Sequence, residues 1–118
     1  HERYTKIIQS AMKQSLKTYL PKLNEAITFG DFLENQKNTD AICCIAHCEE
    51  TNKQGIKEVI PASKNVLICI GPEGDFSSSE IENALKNGFK PVSLGNSRLR
   101  TETAAIVACH SITFINDL

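Results

Sequence analysis

Two short apolar runs constrain this chain more than anything else in it. Ala41–Ala46 (AICCIA) is wholly apolar and six residues long, and Asn65–Ile70 (NVLICI) is nearly so. Each is followed at once by polar or Gly/Pro-rich residues. Runs of that length and makeup predict strands buried on both faces, the habit of a parallel sheet. The β-branched residues of the second run strengthen the reading. Pro91–Leu94 is a third, shorter strand.

Between these runs the apolar period changes to that of a helix. Ser77-x-x-Glu80 is a capping box, in which the Ser hydroxyl and the Glu carboxylate each accept a backbone N–H. Ile81, Ala84 and Leu85 form the apolar face of that helix, and Gly88 suits its C′ position. Thr101 caps a last helix with Ala104, Ala105, Val107, Ala108, Ile112 and Ile115 apolar. Ile56–Ile60 is a short helix before Pro61. Upstream, Tyr4, Ile7, Ile8, Ala11, Met12, Ser15 and Tyr19 recur at spacings of three and four. They predict a helix over 2–19 that Pro21 stops. Leu23–Ile27 reads as a short strand. Thr28 with Asp31 starts a helix whose apolar face is Phe29, Phe32 and Leu33. Asn35–Asp40 is turn material. Strands alternating with helices imply a parallel α/β sheet with right-handed crossovers.

Composition bounds what such a sheet can do. The 118 residues are 41% hydrophobic and 23% charged, enough for one domain that buries roughly two-thirds of its unfolded surface. A net charge of −1 excludes a strongly basic, self-sufficient nucleic-acid binder but allows a local basic patch. Cys43, Cys44, Cys48, Cys69 and Cys109 are odd in number and mostly in apolar runs. They imply a reducing cytoplasm and no disulfide framework. No apolar run is long enough to span a membrane, and none reads as a signal peptide. The chain opens at His1 rather than Met, as a piece of a longer protein would.

In open parallel sheets, ligands bind beyond the carboxyl ends of the strands. Three loops leave such ends: His47–Glu50, Gly71–Phe76 and Gly95–Arg100. In the second of these, Gly71 and Gly74 offer backbone freedom and close approach to the main chain. Glu73 adds a carboxylate for a ribose or an amine. Alone, this loop reads equally as a ligand cradle or as a plain strand-to-helix turn. The last loop carries Arg98 and Arg100 beside a Gly turn, then Glu102 at a helix start. Both arginines cannot pair with Glu102, so one suits a phosphate or an anionic substrate group. Cys44-x-x-His47-Cys48 lacks the second ligand pair of a zinc site, and no metal is expected.

In order, GPEGDFSSSEI (71–81), VSLG (92–95) and LRTETAA (99–105) closely resemble the RsmE family of 16S ribosomal RNA methyltransferases. Glu2-Arg3, Gln14-Ser15 and Pro21 resemble the family's preceding helix. The resemblance implies a parallel-sheet α/β-knot fold of SPOUT type, trefoil-knotted. It implies that residues 1–118 are the carboxy-terminal portion of one such domain. The family's PUA-like β-barrel and the start of its catalytic domain are not found in this chain. It further implies transfer of a methyl group from S-adenosyl-L-methionine to N3 of a uridine in 16S rRNA or the small ribosomal subunit. The other functional possibility is a truncated cofactor-binding module without turnover.

By position, Ile70, Gly71, Gly74, Leu94, Gly95 and Leu99 would line the cofactor pocket. Arg100 and Glu102 would be catalytic, and Arg98 and Arg100 would contact RNA. Ser97 and Arg98 depart from the family's usual Gly-x-Arg-aliphatic-Leu-Arg pattern. Family habit also implies a cytoplasmic homodimer with its active site at the subunit interface.

Overall fold

The computed structural model describes residues 2–14, 20–47, 54–95 and 99–116. The chain divides into two units, residues 1–31 and 32–118.

In the first unit the helical spacing forms α1 (Glu2–Gln14). Ser15 and Tyr19, expected to continue it, lie outside the described residues. Residues 20–28 form neither helix nor strand. The strand expected at Leu23–Ile27 is therefore absent, and Ile27 is exposed. A strand needs a ladder partner, and the four strands of the sheet all come from elsewhere in the chain. Thr28 does act as a cap. Its Oγ1 accepts from the Asp31 N–H at 3.1 Å, starting α2 (Phe29–Asn35).

The second unit is built on a sheet. Its elements run β1 (Ile42–Ala46), β2 (Gln54–Gly55), α3 (Ile56–Val59), β3 (Val66–Ile70), α4 (Ser78–Lys86), β4 (Lys90–Ser93) and α5 (Thr101–Asn116). The strand order is β2-β4-β1-β3, with every pairing parallel. Ala46 pairs with Ile70 on one side and Val92 on the other. The carboxyl ends of β1, β3 and β4 therefore stand level along one edge.

Paired residues in a sheet share a face. One face carries Ile42, Cys44, Ala46, Val66, Ile68 and Val92, and it builds the core. Cys44 and Val92 are fully buried there with Val59 and Ile60, and Ile112 and Ile115 of α5 pack against them. Cys43, Ile45, Leu67 and Cys69 take the opposite face, where Ile45 is fully buried.

β1 is thus central and covered on both faces, as its composition predicts. β3 is not fully buried. It is an edge strand, and all five of its residues are half-buried. Composition reports the apolar character of a strand's faces, whereas lateral position is set by pairing. β2 was not expected. Two residues without an apolar pattern become a strand only through pairing with β4.

The local signals around α4 hold in full. The Glu80 N–H donates to Ser77 Oγ at 3.2 Å, and the Ser77 N–H donates to Glu80 Oε1 at 2.8 Å. At the other end Gly88 takes φ +88°. The Gly88 N–H reaches the Leu85 carbonyl, and the Phe89 N–H reaches that of Ala84, both at 3.1 Å. This is a Schellman closure, and glycine meets its left-handed requirement without Cβ strain.

Candidate functional site

The loops after β3 and β4 leave the same edge of the sheet. In the first, Ile70 is half-buried at the end of β3. Pro72–Asp75 forms a turn closed by the Asp75 N–H on the Pro72 carbonyl at 2.8 Å. The left-handed residue of this turn is Asp75, at φ +67°. Neither Gly71 nor Gly74 has a positive φ, so the expected backbone freedom is not what these glycines provide. At Gly71 the constraint is contact: a Cβ there would stand 3.1 Å from the Phe76 ring, tight enough that the ring would have to give way. Gly74 faces open space, with nothing within 4 Å of its Cβ position.

In the second loop Ser93 folds onto Gly95. Its Oγ donates to the Gly95 carbonyl at 2.9 Å and accepts the Gly95 N–H at 3.2 Å. Gly95 adopts φ +136°, and a Cβ there would also meet open space. Here the glycine is required by conformation. Leu94 and Leu99 are half-buried beside this loop.

Thr101 does not cap α5 as the sequence suggests. It is the first residue of the helix, and its Oγ1 donates to the Gly71 carbonyl at 2.9 Å. Arg100 holds the capping position instead, its carbonyl accepting the Ala104 N–H at 2.8 Å. Arg100 and Glu102 are both exposed, on either side of the anchored Thr101. Two surface ion pairs, Lys37–Glu34 and Lys86–Glu82, involve neither. Arg98 and Ser97 lie outside the described residues.

One side chain at this edge, weighed in the sequence only as a loop residue or a metal ligand, proves to be buried. His47 follows the last residue of β1 and is buried, only 5% exposed. It leaves the sheet from the strand between β3 and β4. Its place directly after a buried strand was the available signal. Cys44, two residues inside the same strand end, is a core thiol. Burial, reinforced by the Cys43 thiol and opposed by Lys90, pushes its pKa up to about 11, which disfavours the thiolate a metal would need. Cys48 lies outside the described residues. Among the described residues no three His, Cys, Asp or Glu side chains gather as metal ligands.

A parallel sheet with two motif-bearing loops tied together at its carboxyl edge defines an α/β ligand-binding domain. Residues 1–113 match the model of the RNA methyltransferase domain family, and the chain belongs to that family. It is 32% identical to ribosomal RNA small subunit methyltransferase E of Bacillus subtilis, over 99% of this chain and 48% of that protein. A probable rRNA-methyltransferase from Porphyromonas gingivalis superposes with a TM-score of 0.88 at 44% identity. That match covers 98% of this chain and 49% of the other. Ribosomal RNA small subunit methyltransferase E from Neisseria gonorrhoeae, solved bound to S-adenosyl methionine, gives 0.88 at 26% identity over 98% and 47%. The resemblance to RsmE enzymes and the SPOUT-type parallel α/β fold expected from it are thus borne out. The chain spans about half the length of the curated relatives it matches.

Proposed function

We propose that this chain is the carboxy-terminal portion of an S-adenosyl-L-methionine-dependent methyltransferase acting on N3 of a uridine in 16S rRNA. The observation that carries the proposal is the hydrogen bond from Thr101 Oγ1 to the Gly71 carbonyl. It joins the two motif loops into one site at the ligand-bearing edge of the sheet.

The residues fit the cofactor. Gly74 and Gly95 leave open space against the backbone, where main-chain groups can meet an adenosine. The half-buried Ile70, Leu94 and Leu99 supply the aliphatic surface that such a ligand needs. The cofactor, when bound, supplies an activated sulfonium methyl group. The chain's own residues must position the uracil and manage its N3 proton. Arg100, exposed at the helix start, stabilises the negative charge that develops as that proton leaves. Glu102, one residue beyond Thr101, orients the base or accepts the proton. Held by Ile70, Gly71, Gly74, Leu94, Gly95 and Leu99, the cofactor would supply its methyl group to the N3 electron pair that the departing proton leaves. Arg98 adds a phosphate contact.

The topology supports a threaded, knotted chain. β4 lies between β1 and β2, which residues 47–53 join directly in sequence. Ile106 and Phe114 stand exposed on α5, which supports a homodimer with the site at the subunit interface. A ribosomal RNA substrate and free cysteines support a cytoplasmic setting. No helix among the described residues is long and apolar enough to cross a membrane.

The test is calorimetric titration of the full-length protein with S-adenosyl-L-methionine, followed by methyl transfer to isolated small ribosomal subunits. Saturable binding that a Gly71→Val, Gly95→Val double variant loses is expected, together with a methylated uridine in 16S rRNA. A folded protein that binds no cofactor overturns the proposal.

A further inference from the structure

We infer that Thr101 is a positioning residue, a latch that holds the two loops of the site in register and aims Arg100 and Glu102. The inference rests on the methyltransferase reading above and adds a role for a residue whose apparent task is helix capping.

A threonine just before an apolar helical run normally turns its hydroxyl onto a backbone N–H of its own first turn. Thr101 does not. Its hydroxyl crosses thirty residues of sequence to donate to the Gly71 carbonyl at 2.9 Å in a half-buried setting. Helix α5 starts without it, because the Arg100 carbonyl accepts the Ala104 N–H.

Each end of the latch is independently fixed. Gly71 follows the last residue of β3 and lies against the Phe76 ring. Thr101 begins a helix whose far end packs into the core through Ile112 and Ile115. That end is also tied down, since the Ser63 N–H donates to Asn116 Oδ1 at 2.7 Å. A bond between two fixed points sets the separation of the loops that leave β3 and β4. It also sets the direction of the helix start that carries Arg100 and Glu102. Without the hydroxyl, the Gly71 carbonyl would lose its partner at the edge where the cofactor binds, and half-buried carbonyls are costly to leave unpaired.

The test compares the full-length protein with Thr101→Val, which keeps the shape and loses the donor, and Thr101→Ser, which restores it. S-adenosyl-L-methionine affinity is measured by calorimetry, turnover on small ribosomal subunits by methyl incorporation, and folding by thermal melting. Thr101→Val should weaken cofactor binding about tenfold and lower kcat by at least as much, and Thr101→Ser should recover both to within about threefold. Thr101→Val with unchanged Kd and kcat, whatever its melting temperature, overturns the latch. So does a Thr101→Ser protein as defective as Thr101→Val. An unmodified protein that binds no cofactor refutes the methyltransferase reading instead. A second measurement needs no variant: adding S-adenosyl-L-methionine should slow amide hydrogen exchange over 71–76 and 99–103 together. Protection of one loop without the other overturns the inference.

Discussion

Gly71 lies so close to Phe76 that the two positions must be chosen together. A Cβ at Gly71 would stand 3.1 Å from two atoms of the Phe76 ring and 3.3 Å from its backbone nitrogen. The ring can turn away, but the backbone nitrogen cannot. Gly71→Ala should therefore destabilise by about 1–3 kcal/mol, the usual cost of overpacking, and Gly71→Val by more. Urea unfolding measures this. Phe76→Leu combined with Gly71→Ala should recover part of the loss in a double-mutant cycle. Strict additivity would mean that the ring is not the obstacle.

Gly95 and Gly74 make a matched pair for separating conformation from contact. Both face open space, but only Gly95 has a left-handed φ, at +136°. Gly95→Ala should cost about 1–3 kcal/mol in backbone strain alone. Gly74→Ala should be neutral or stabilise by up to about 1 kcal/mol, because it restricts the unfolded chain. Equal losses at the two positions in unfolding experiments would contradict the assignment.

The residues that sequence reading places well are those whose signal is local. The capping box of Ser77 and Glu80 and the Gly88 closure are complete within one helix, and each forms as its pattern predicts. β1 and β3 were legible because their apolar runs are short and sharply bounded, and β4 (Lys90–Ser93) falls within one residue of the expected Pro91–Leu94. What pattern could not supply was pairing. Gln54–Gly55 becomes a strand because β4 lies beside it, whereas Leu23–Ile27 joins no ladder among the described residues. The site divides the same way. Motif order located both loops, but the partner of Thr101 is thirty residues away and the left-handed residue of the first loop is Asp75 rather than a glycine. Neither fact leaves a trace at short range.

The capping box gives a third prediction. Ser77→Ala removes the acceptor for the Glu80 N–H and should cost about 1 kcal/mol. Glu80→Ala removes the reciprocal bond to the Ser77 N–H and should cost a comparable amount. Glu80→Gln keeps a carbonyl acceptor and should lose less than either. Because α4 follows the first loop of the site, cofactor titration of the same variants shows whether fraying at Ser77 reaches Gly71. A Glu80→Gln protein as unstable as Glu80→Ala would show that charge at the helix start matters more than the hydrogen bond.

Burial of the sheet cysteines predicts a stability loss in alkali. Desolvation comes first, and neighbouring thiols add to it. Together they raise the pKa values of Cys44 and Cys69 from 9.0 to about 11 in the folded chain. Below pH 9 both states keep these thiols protonated, and their contribution is constant. As pH rises from 9 towards 11, the unfolded chain releases the two protons and the folded chain holds them. The unfolded state is thereby favoured, and stability falls across that window. Urea midpoints under reducing conditions at pH 8, 9, 10 and 11 should show the decline. A Cys44→Ala, Cys69→Ala double variant should start less stable, because Cys44 fills the core, yet decline less steeply. Parallel slopes for the two proteins would place the titration elsewhere. Alkylation gives an independent check at pH 8: exposed Cys109 should react in the native protein, and Cys44 only once the sheet has opened.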